Sequence, residues 1–233
     1  MITSIGHAPS GAWQFDDSVT ACFEDMLSRS IPDLAGMRRA VTRAASQVLP
    51  DGGHVLDIGT SRGDAVADLL AARPDVIATA CECSEPMLAV AKTRFGSRVD
   101  VQSLDLRRSF PVGKYHAILS VLVIQFTPIE YRQRIIRSCF DALHPGGALV
   151  LVEKVLGSTA QLDEVLTGEY LKLKAESGYS TEDIDRKRLA LEGVLVPVTT
   201  EWNEDMLIRA GFRIAPFWRW FNFAGWIAIR PEE

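Results

Sequence analysis

The stretch from His54 to Asp64 reads HVLDIGTSRGD, and the fold can be inferred outward from it. A short apolar run leads into a glycine turn, Gly59-x-Ser61-x-Gly63, and an alanine- and leucine-rich helical pattern begins directly after the turn. A buried strand, a glycine turn and a helix in this order form the first βα unit of a nucleotide-binding α/β sheet. Glycine suits the turn because a backbone without Cβ can bend sharply and approach a ligand closely.

An acidic residue at the end of the next strand supports this interpretation. The strand-like run from Val76 to Cys81 ends in Glu82, 23 positions after Gly59. In such sheets an acidic residue about 20 positions after the glycines accepts hydrogen bonds from ribose hydroxyls. The N-terminus of the helix behind the turn also offers unpaired backbone N–H groups. The pattern therefore predicts a nucleotide-type cofactor site.

The same turn also matches the G-x-S-x-G nucleophile elbow of α/β-hydrolases, which likewise lies between a strand and a helix. That chemistry needs an acid and then a histidine later in the chain. The four histidines are His7, His54, His116 and His144, so the last 89 residues contain none. No His-Gly-Gly segment precedes the turn either. The surroundings of the turn favour the nucleotide site.

The composition limits the classes of function. The 233 residues are 47% hydrophobic, enough for a full core, and a net charge of −5 argues against direct nucleic-acid binding. No apolar run has the length of a membrane span and no signal pattern is visible, so we expect a soluble, cytoplasmic protein without a membrane partner. Cys81 and Cys83 form a C-x-C motif, but without a second ligand pair they predict no metal site.

The order of the patterns predicts one α/β domain, residues 15–230, with helical additions. Residues 1–14 lack periodicity and are predicted to be a loose arm, and helices are expected within 15–49. Strands and helices then alternate, and two strands near the C-terminus predict an antiparallel hairpin. A helical insertion at 156–198 would cover a ligand or pair with a second subunit. The first of its two predicted helices carries Leu162, Val165, Leu166, Tyr170 and Leu173 on one face.

Several of these features together resemble class I S-adenosylmethionine (SAM) methyltransferases, which have a Rossmann-like, seven-stranded, mostly parallel sheet with a C-terminal antiparallel hairpin. The segment HPGGAL, which begins at His144, is typical of that family. Within it, the chain resembles the carboxy-SAM synthases of tRNA wobble-uridine modification from about Phe15 to Arg230. The segments that carry this resemblance are FDxxV from Phe15, MLxRSIP from Met26, Gln125-Phe126, Glu153-Lys154, Gly178-Tyr179-Ser180, Lys187-Arg188, Leu191-Glu192 and Phe221-Asn222-Phe223.

The resemblance implies a role in cofactor binding for each strand end. The turn would line the methionine and ribose of SAM, or of S-adenosylhomocysteine or carboxy-SAM. Glu82 would hold the ribose hydroxyls, with Cys83 beside the adenine, and the pair Asp105-Leu106 would contact the adenine edge. The cofactor-binding residues predicted in this way are Asp57, Gly59, Thr60, Ser61, Gly63, Glu82, Cys83, Asp105, Leu106 and Val121.

The resemblance also implies a catalytic residue and a dimer. The family makes carboxy-SAM from SAM and prephenate, which supplies carbon dioxide to a sulfonium ylide. Arg188 corresponds to the arginine that grips the added carboxylate and is donated across a homodimer. An arginine fork suits that task because it binds a carboxylate bidentately and stays charged.

Two positions depart from the family. It has a tyrosine where this chain has Leu34 and an asparagine where this chain has Val121. Both missing groups are polar ligands of the cofactor or its carboxylate. The predicted function is therefore a SAM-dependent transferase that methylates a small, carboxylate-bearing acceptor. The alternatives are a carboxy-SAM synthase in which other side chains replace the missing ligands, a cyclase-like enzyme, and a non-catalytic SAM-binding subunit.

Side chains outside the cofactor motifs are candidates for contacting the acceptor. Lys154 follows the fifth strand at the carboxyl edge of the sheet, where ligands bind, but it could equally form a surface ion pair with Glu153. The aromatic residues near the C-terminus could line a pocket or form the core of the hairpin. The substrate-binding candidates are Leu34, Lys154, Tyr170, Tyr179, Trp218, Trp220 and Asn222.

Overall fold

The computed structural model describes residues 11–232. Helices α1 (Asp17–Ser30) and α2 (Leu34–Ser46) come first, each begun by an aspartate that caps the N-terminus. Most of the predicted loose arm, residues 1–14, lies outside the described residues. Within its described part, Trp13 is buried and its backbone N–H donates to the carbonyl of Ala190.

A sheet of parallel strands with a C-terminal hairpin forms the centre of the fold, as predicted. Along the main path the strand order is β3-β2-β1-β4-β5-β8-β7; β8 is antiparallel to both of its neighbours. An additional two-residue strand, β6, pairs with the end of β5 and is not predicted by the sequence. The strands are β1 (His54–Ile58), β2 (Ile77–Glu82), β3 (Val99–Ser103), β4 (Tyr115–Val121), β5 (Leu143–Leu156), β6 (Val198–Thr199), β7 (Arg213–Trp220) and β8 (Phe223–Ile229).

Helices cover both faces of this sheet. The strands β1, β4 and β5 are almost completely buried, which explains their continuous apolar runs. A short 3₁₀ helix, Ile124–Phe126, follows β4 and lies at the carboxyl edge of the sheet. The remaining helices are α3 (Asp64–Ala72), α4 (Glu85–Phe95), α5 (Ile129–Ala142), α6 (Ala160–Glu176), α7 (Thr181–Leu191) and α8 (Thr200–Arg209).

The insertion contains the two predicted helices, α6 and α7, and the structure buries only part of the apolar face of α6. Leu162 and Val165 are 50% and 57% exposed, whereas Tyr170 and Lys174 are buried. The apolar face of this helix is thus buried only in part: α6 turns its Tyr170–Lys174 side toward the carboxyl edge of the sheet and leaves Leu162 and Val165 exposed. No helix in residues 11–232 is long and apolar enough to cross a membrane.

Candidate functional site

The glycine turn is shaped for close approach of a ligand. Gly59 has φ +61°, and a Cβ there would lie 2.5 Å from Cγ1 of Val123. The Thr60 hydroxyl donates to the buried carboxylate of Asp57 at 2.5 Å, which ties the turn to the end of β1. Burial raises the pKa of Asp57 to about 7. No L side chain fits at Gly59 without strain, so the backbone itself forms this wall.

Glu82 is held in place by the backbone around it. Its Oε2 accepts from the N–H of Ser61 at 2.9 Å, and its Oε1 accepts from Cys83 at 2.8 Å and Ser84 at 2.9 Å. A carboxylate has about four acceptor positions, so one on Oε2 stays available for a further donor. This arrangement fixes the orientation of Glu82 and suits a hydroxyl of a bound ribose.

The end of β3 carries a second fixed carboxylate. The Arg107 guanidinium donates to Asp105 through Nε, at 2.9 and 3.1 Å, and through Nη2, at 2.8 Å, and this arginine lowers the pKa of Asp105. The backbone N–H of Leu104 donates to the carbonyl of Glu82, which brings the two strand ends together. Cys83 is exposed beside them. The predicted adenosine ligands therefore lie along one edge, next to the glycine turn.

A cavity of about 460 Å³ lies on the other side of the turn. Its walls come from the turn, α1, α2, the loop after β4, α6 and α7, and they are mostly apolar. The predicted site residues that line it are Asp57, Gly59, Thr60, Ser61, Val121, Leu34, Lys154, Tyr170 and Arg188. The structure thus brings most of the predicted methionine-side and substrate-side residues around a single space.

The other predicted residues lie around or away from this cavity. Gly63 caps α3 behind the turn, with φ +82°. Tyr179 is buried just behind the cavity wall, where its hydroxyl is 3.1 Å from the Ser30 hydroxyl. The hairpin residues Trp218, Trp220 and Asn222 do not line the cavity. No group of metal-ligating side chains occurs among the described residues.

Two further lysines line the cavity together with Lys154: Lys187, quoted above only as part of the family segment Lys187-Arg188, and Lys174, which no sequence motif marked. Lys174 on α6 and Lys187 on α7 are 6% and 5% exposed. Burial lowers the pKa of Lys154 and Lys187 to about 8, and burial together with the two other lysines lowers that of Lys174 to about 7. A signal was present in the sequence: Lys174 follows Tyr170 by four positions and so shares its helix face.

Arg188 lines the cavity of its own chain. Its side chain is 67% exposed, and its Nε lies 3.7 Å from a carboxylate oxygen of Asp185. The predicted catalytic arginine is thus at the rim of the cavity, where a guanidinium can turn toward a ligand.

Comparisons with known proteins agree with this geometry. Residues 55–147 match the family described as "Methyltransferase domain". The carboxy-S-adenosyl-L-methionine synthase of Wolinella succinogenes is 36% identical over 229 residues, 94% of each chain. The synthase of Methylococcus capsulatus is 34% identical over 224 residues, 93% of each chain. The chain belongs to the carboxy-S-adenosyl-L-methionine synthase family.

A solved structure confirms the fold class. Human N-acetylserotonin methyltransferase in complex with SAM aligns with a TM-score of 0.62 at 15% identity. The alignment covers 92% of this chain and 55% of that chain, so this chain spans about half its length. The predictions of the family, the fold and a SAM-dependent transferase are therefore confirmed. The site also fits SAM. The turn at Gly59 has no room for a Cβ, so a ligand can approach its backbone closely, and Glu82 beside it keeps one acceptor position for a ribose hydroxyl.

Proposed function

We propose that the protein transfers the methyl group of SAM to a small, carboxylate-bearing metabolite held in the cavity. The observation that carries this proposal is the lining of the cavity beside the glycine turn. Its apolar surface suits a small organic molecule, and its cationic side chains suit a carboxylate. Those cationic residues are Lys154, Lys174, Lys187, Arg188 and Arg38, the last of which pairs with Asp64.

The chain's own residues contribute mainly binding and alignment. Glu82 and Asp105 would hold the adenosine, and the turn Gly59–Ser61 would direct the methionine part toward the cavity. SAM supplies a methyl carbon activated by its sulfonium. When the acceptor attacks, its bond to that carbon forms, the carbon–sulfur bond breaks, and the electron pair stays on sulfur. Such a step depends chiefly on proximity and in-line approach.

A second candidate is carboxy-SAM synthesis, favoured by the names of the relatives at 36% and 34% identity. In that reaction prephenate loses a carboxylate as carbon dioxide and its hydroxyl group as hydroxide, which leaves phenylpyruvate. The SAM methyl carbon loses a proton to this hydroxide, which gives water, and forms a bond to the carbon dioxide. Leu34 and Val121 line the same cavity as Arg188. A carboxylate there would rely on Arg188 and the lysines rather than on the missing tyrosine and asparagine.

Mass spectrometry of the products separates these candidates. The protein is incubated with SAM and prephenate, and in parallel with SAM and a panel of small carboxylic acids. S-adenosylhomocysteine with a methylated acid supports the first candidate, and a product heavier than SAM by carbon dioxide supports the second. Methylthioadenosine formed without any acceptor would instead indicate cyclisation. Absence of SAM binding at millimolar ligand would contradict both candidates.

The role of Arg188 is tested in the same assay. Arg188→Ala should lower turnover at least tenfold, because the carboxylate loses its bidentate partner at the rim. Arg186→Ala is the matched control, since Arg186 lies two residues away, is half exposed and does not line the cavity. Equal activity of the two variants would remove Arg188 from the proposed site.

We also infer that the protein forms a homodimer through α6 and α7. Leu162, Val165 and Leu189 are 50%, 57% and 58% exposed, and Leu189 directly follows Arg188. Burying such side chains against a second copy would remove apolar surface from water next to the cavity rim. Light scattering should therefore give twice the chain mass, and Leu162→Glu with Val165→Glu should give monomers. Ile208→Glu is the control at an equally exposed position on α8; a monomeric wild type would contradict the proposal.

A further inference from the structure

Three amines from three different elements meet around two tyrosine rings in the cavity wall. The Lys154 and Lys174 ammonium nitrogens lie 4.4 and 4.7 Å from the centre of the Tyr170 ring. The Lys187 nitrogen donates to the Ser30 hydroxyl at 2.9 Å and to the Tyr179 hydroxyl at 3.3 Å. The three amines thus form one cluster, which we call the lysine cluster.

The lysine cluster has no anionic partner of its own within residues 11–232. None of its three ammonium groups forms an ion pair, although Asp163 acts on Lys154 from a greater distance. By contrast, Lys172 on the outer side of α6 is exposed and pairs with Glu169. A buried ammonium without a counter-ion is costly, so a protein keeps such a group chiefly where a ligand supplies the missing charge.

We infer that the lysine cluster is an anion subsite that binds a carboxylate of the second substrate, in addition to the contact with Arg188. The substrate class is then an organic dianion with one carboxylate at the cluster and the other near Arg188. This inference rests on the proposed function, because it assigns the position of that function's second substrate. The tyrosine rings add apolar surface and attraction for the ammonium groups at the same place.

Binding of SAM and of this anion should be mutually reinforcing. The sulfonium of a bound SAM and the lysine cluster would both carry positive charge and border the same low-dielectric cavity. They therefore repel each other unless an anion lies between them. An anion also favours the protonated form of the amines, so its binding takes up protons near neutral pH. The titratable and charged groups close to the cluster are Tyr170, Tyr179, Cys22 and Asp163. The other charged residues that line the same cavity are Arg38, Asp57, Asp64, Arg188 and Glu192.

Calorimetry with phenylsuccinate as the probe tests the subsite directly. Wild-type protein saturated with SAM should bind phenylsuccinate, and titrations in two buffers of different ionisation heat should reveal proton uptake. Lys174→Met should weaken this binding about tenfold or more, because it removes one charged donor. Lys172→Met removes a charge from the exposed side of the same helix and should leave the binding unchanged. The uncharged dimethyl ester of phenylsuccinate should not bind.

Separate SAM titrations distinguish the failure of this inference from failure of the proposed function. If all variants bind SAM but Lys174→Met and Lys172→Met bind phenylsuccinate equally, the subsite is overturned and the proposed function stands. If wild-type protein binds no SAM, the proposed function itself fails. Should Lys174→Met not fold, Lys154→Met is the second variant, with the same expected loss. Binding of the probe without proton uptake would also contradict the role of the cluster.

Discussion

At the scale of single residues, Glu82 is a carboxylate that the backbone holds in one orientation at the end of β2, beside the glycine turn. Its three backbone donors come from the glycine turn and from the first residues after β2. A ligand bound to Glu82 would therefore meet a side chain whose orientation is already fixed. Such preorganisation increases affinity because little conformational freedom is left to lose.

We expect Glu82→Gln to lower the affinity for SAM about 10- to 100-fold. The amide nitrogen cannot accept a hydrogen bond, so it faces at least one backbone N–H that then stays unpaired, and the ribose loses a charged acceptor. Equilibrium titration with SAM measures the effect. Glu85→Gln, an exposed position at the start of α4, serves as the control. Equal affinity of both variants for SAM would remove Glu82 from the cofactor site.

At the scale of elements, the loop after β4 is held by a buried carboxylate on β5. Glu153 accepts from the N–H groups of Val123, Ile124 and Gln125 at 3.2, 2.9 and 2.8 Å. The loop lines the cavity through Gln125 and its neighbours, and Gln125 in turn accepts from the N–H of Lys154. The shape of the cavity wall therefore depends on Glu153, although this residue does not line the cavity.

Replacing Glu153 should loosen this wall. Glu153→Ala leaves three N–H groups without this partner, two of them buried, and we expect the free energy of unfolding to fall by about 3 kcal/mol or more. Glu153→Gln keeps one acceptor oxygen, so its free energy of unfolding should lie between that of Glu153→Ala and that of the wild type. Urea unfolding measures the stability, and hydrogen exchange of residues 122–127 measures the loop. Unchanged exchange in Glu153→Ala would show that other contacts hold the loop; the exposed Glu176→Ala is the control.

The same elements show what the sequence could and could not predict. The order of strands and helices from β1 to the hairpin could be predicted, because buried strands, glycine turns and helix caps each have a recognisable local sequence pattern. The lysine cluster was not, because its members come from β5, α6 and α7 and meet only in the folded chain. On α6 the apolar residues Leu162, Val165 and Tyr170 share one face, and the sequence did not show that only the Tyr170 end of it would be buried. The polarity of Lys174 concealed that it is buried.

At the scale of the whole molecule, the cavity joins parts of the chain that are far apart in sequence. The N-terminal segment and helices α1 and α7 share a small apolar cluster with Trp13, Phe23, Met26 and Ala190. Three members of this cluster, Trp13, Phe23 and Met26, line the cavity together with the lysines. Buried positive charge lowers the stability of the fold, and here it lies where the carboxylate of the proposed substrate would bind.

That cost makes the stability of the whole protein depend on pH. Burial, followed by the charges of Lys187 and Lys154, lowers the pKa of Lys174 from 10.5 to about 7. Between these values the unfolded chain binds the extra proton, so the contribution of Lys174 to stability is complete above pH 10.5 and is lost as the pH falls to about 7. Lys174→Met should therefore gain unfolding free energy over the wild type as the pH falls, by up to about 1.4 kcal/mol per pH unit. Urea unfolding of both proteins across this range measures the difference. A difference that does not vary with pH, as expected for the exposed Lys172→Met, would mean that Lys174 keeps its ordinary pKa in the fold.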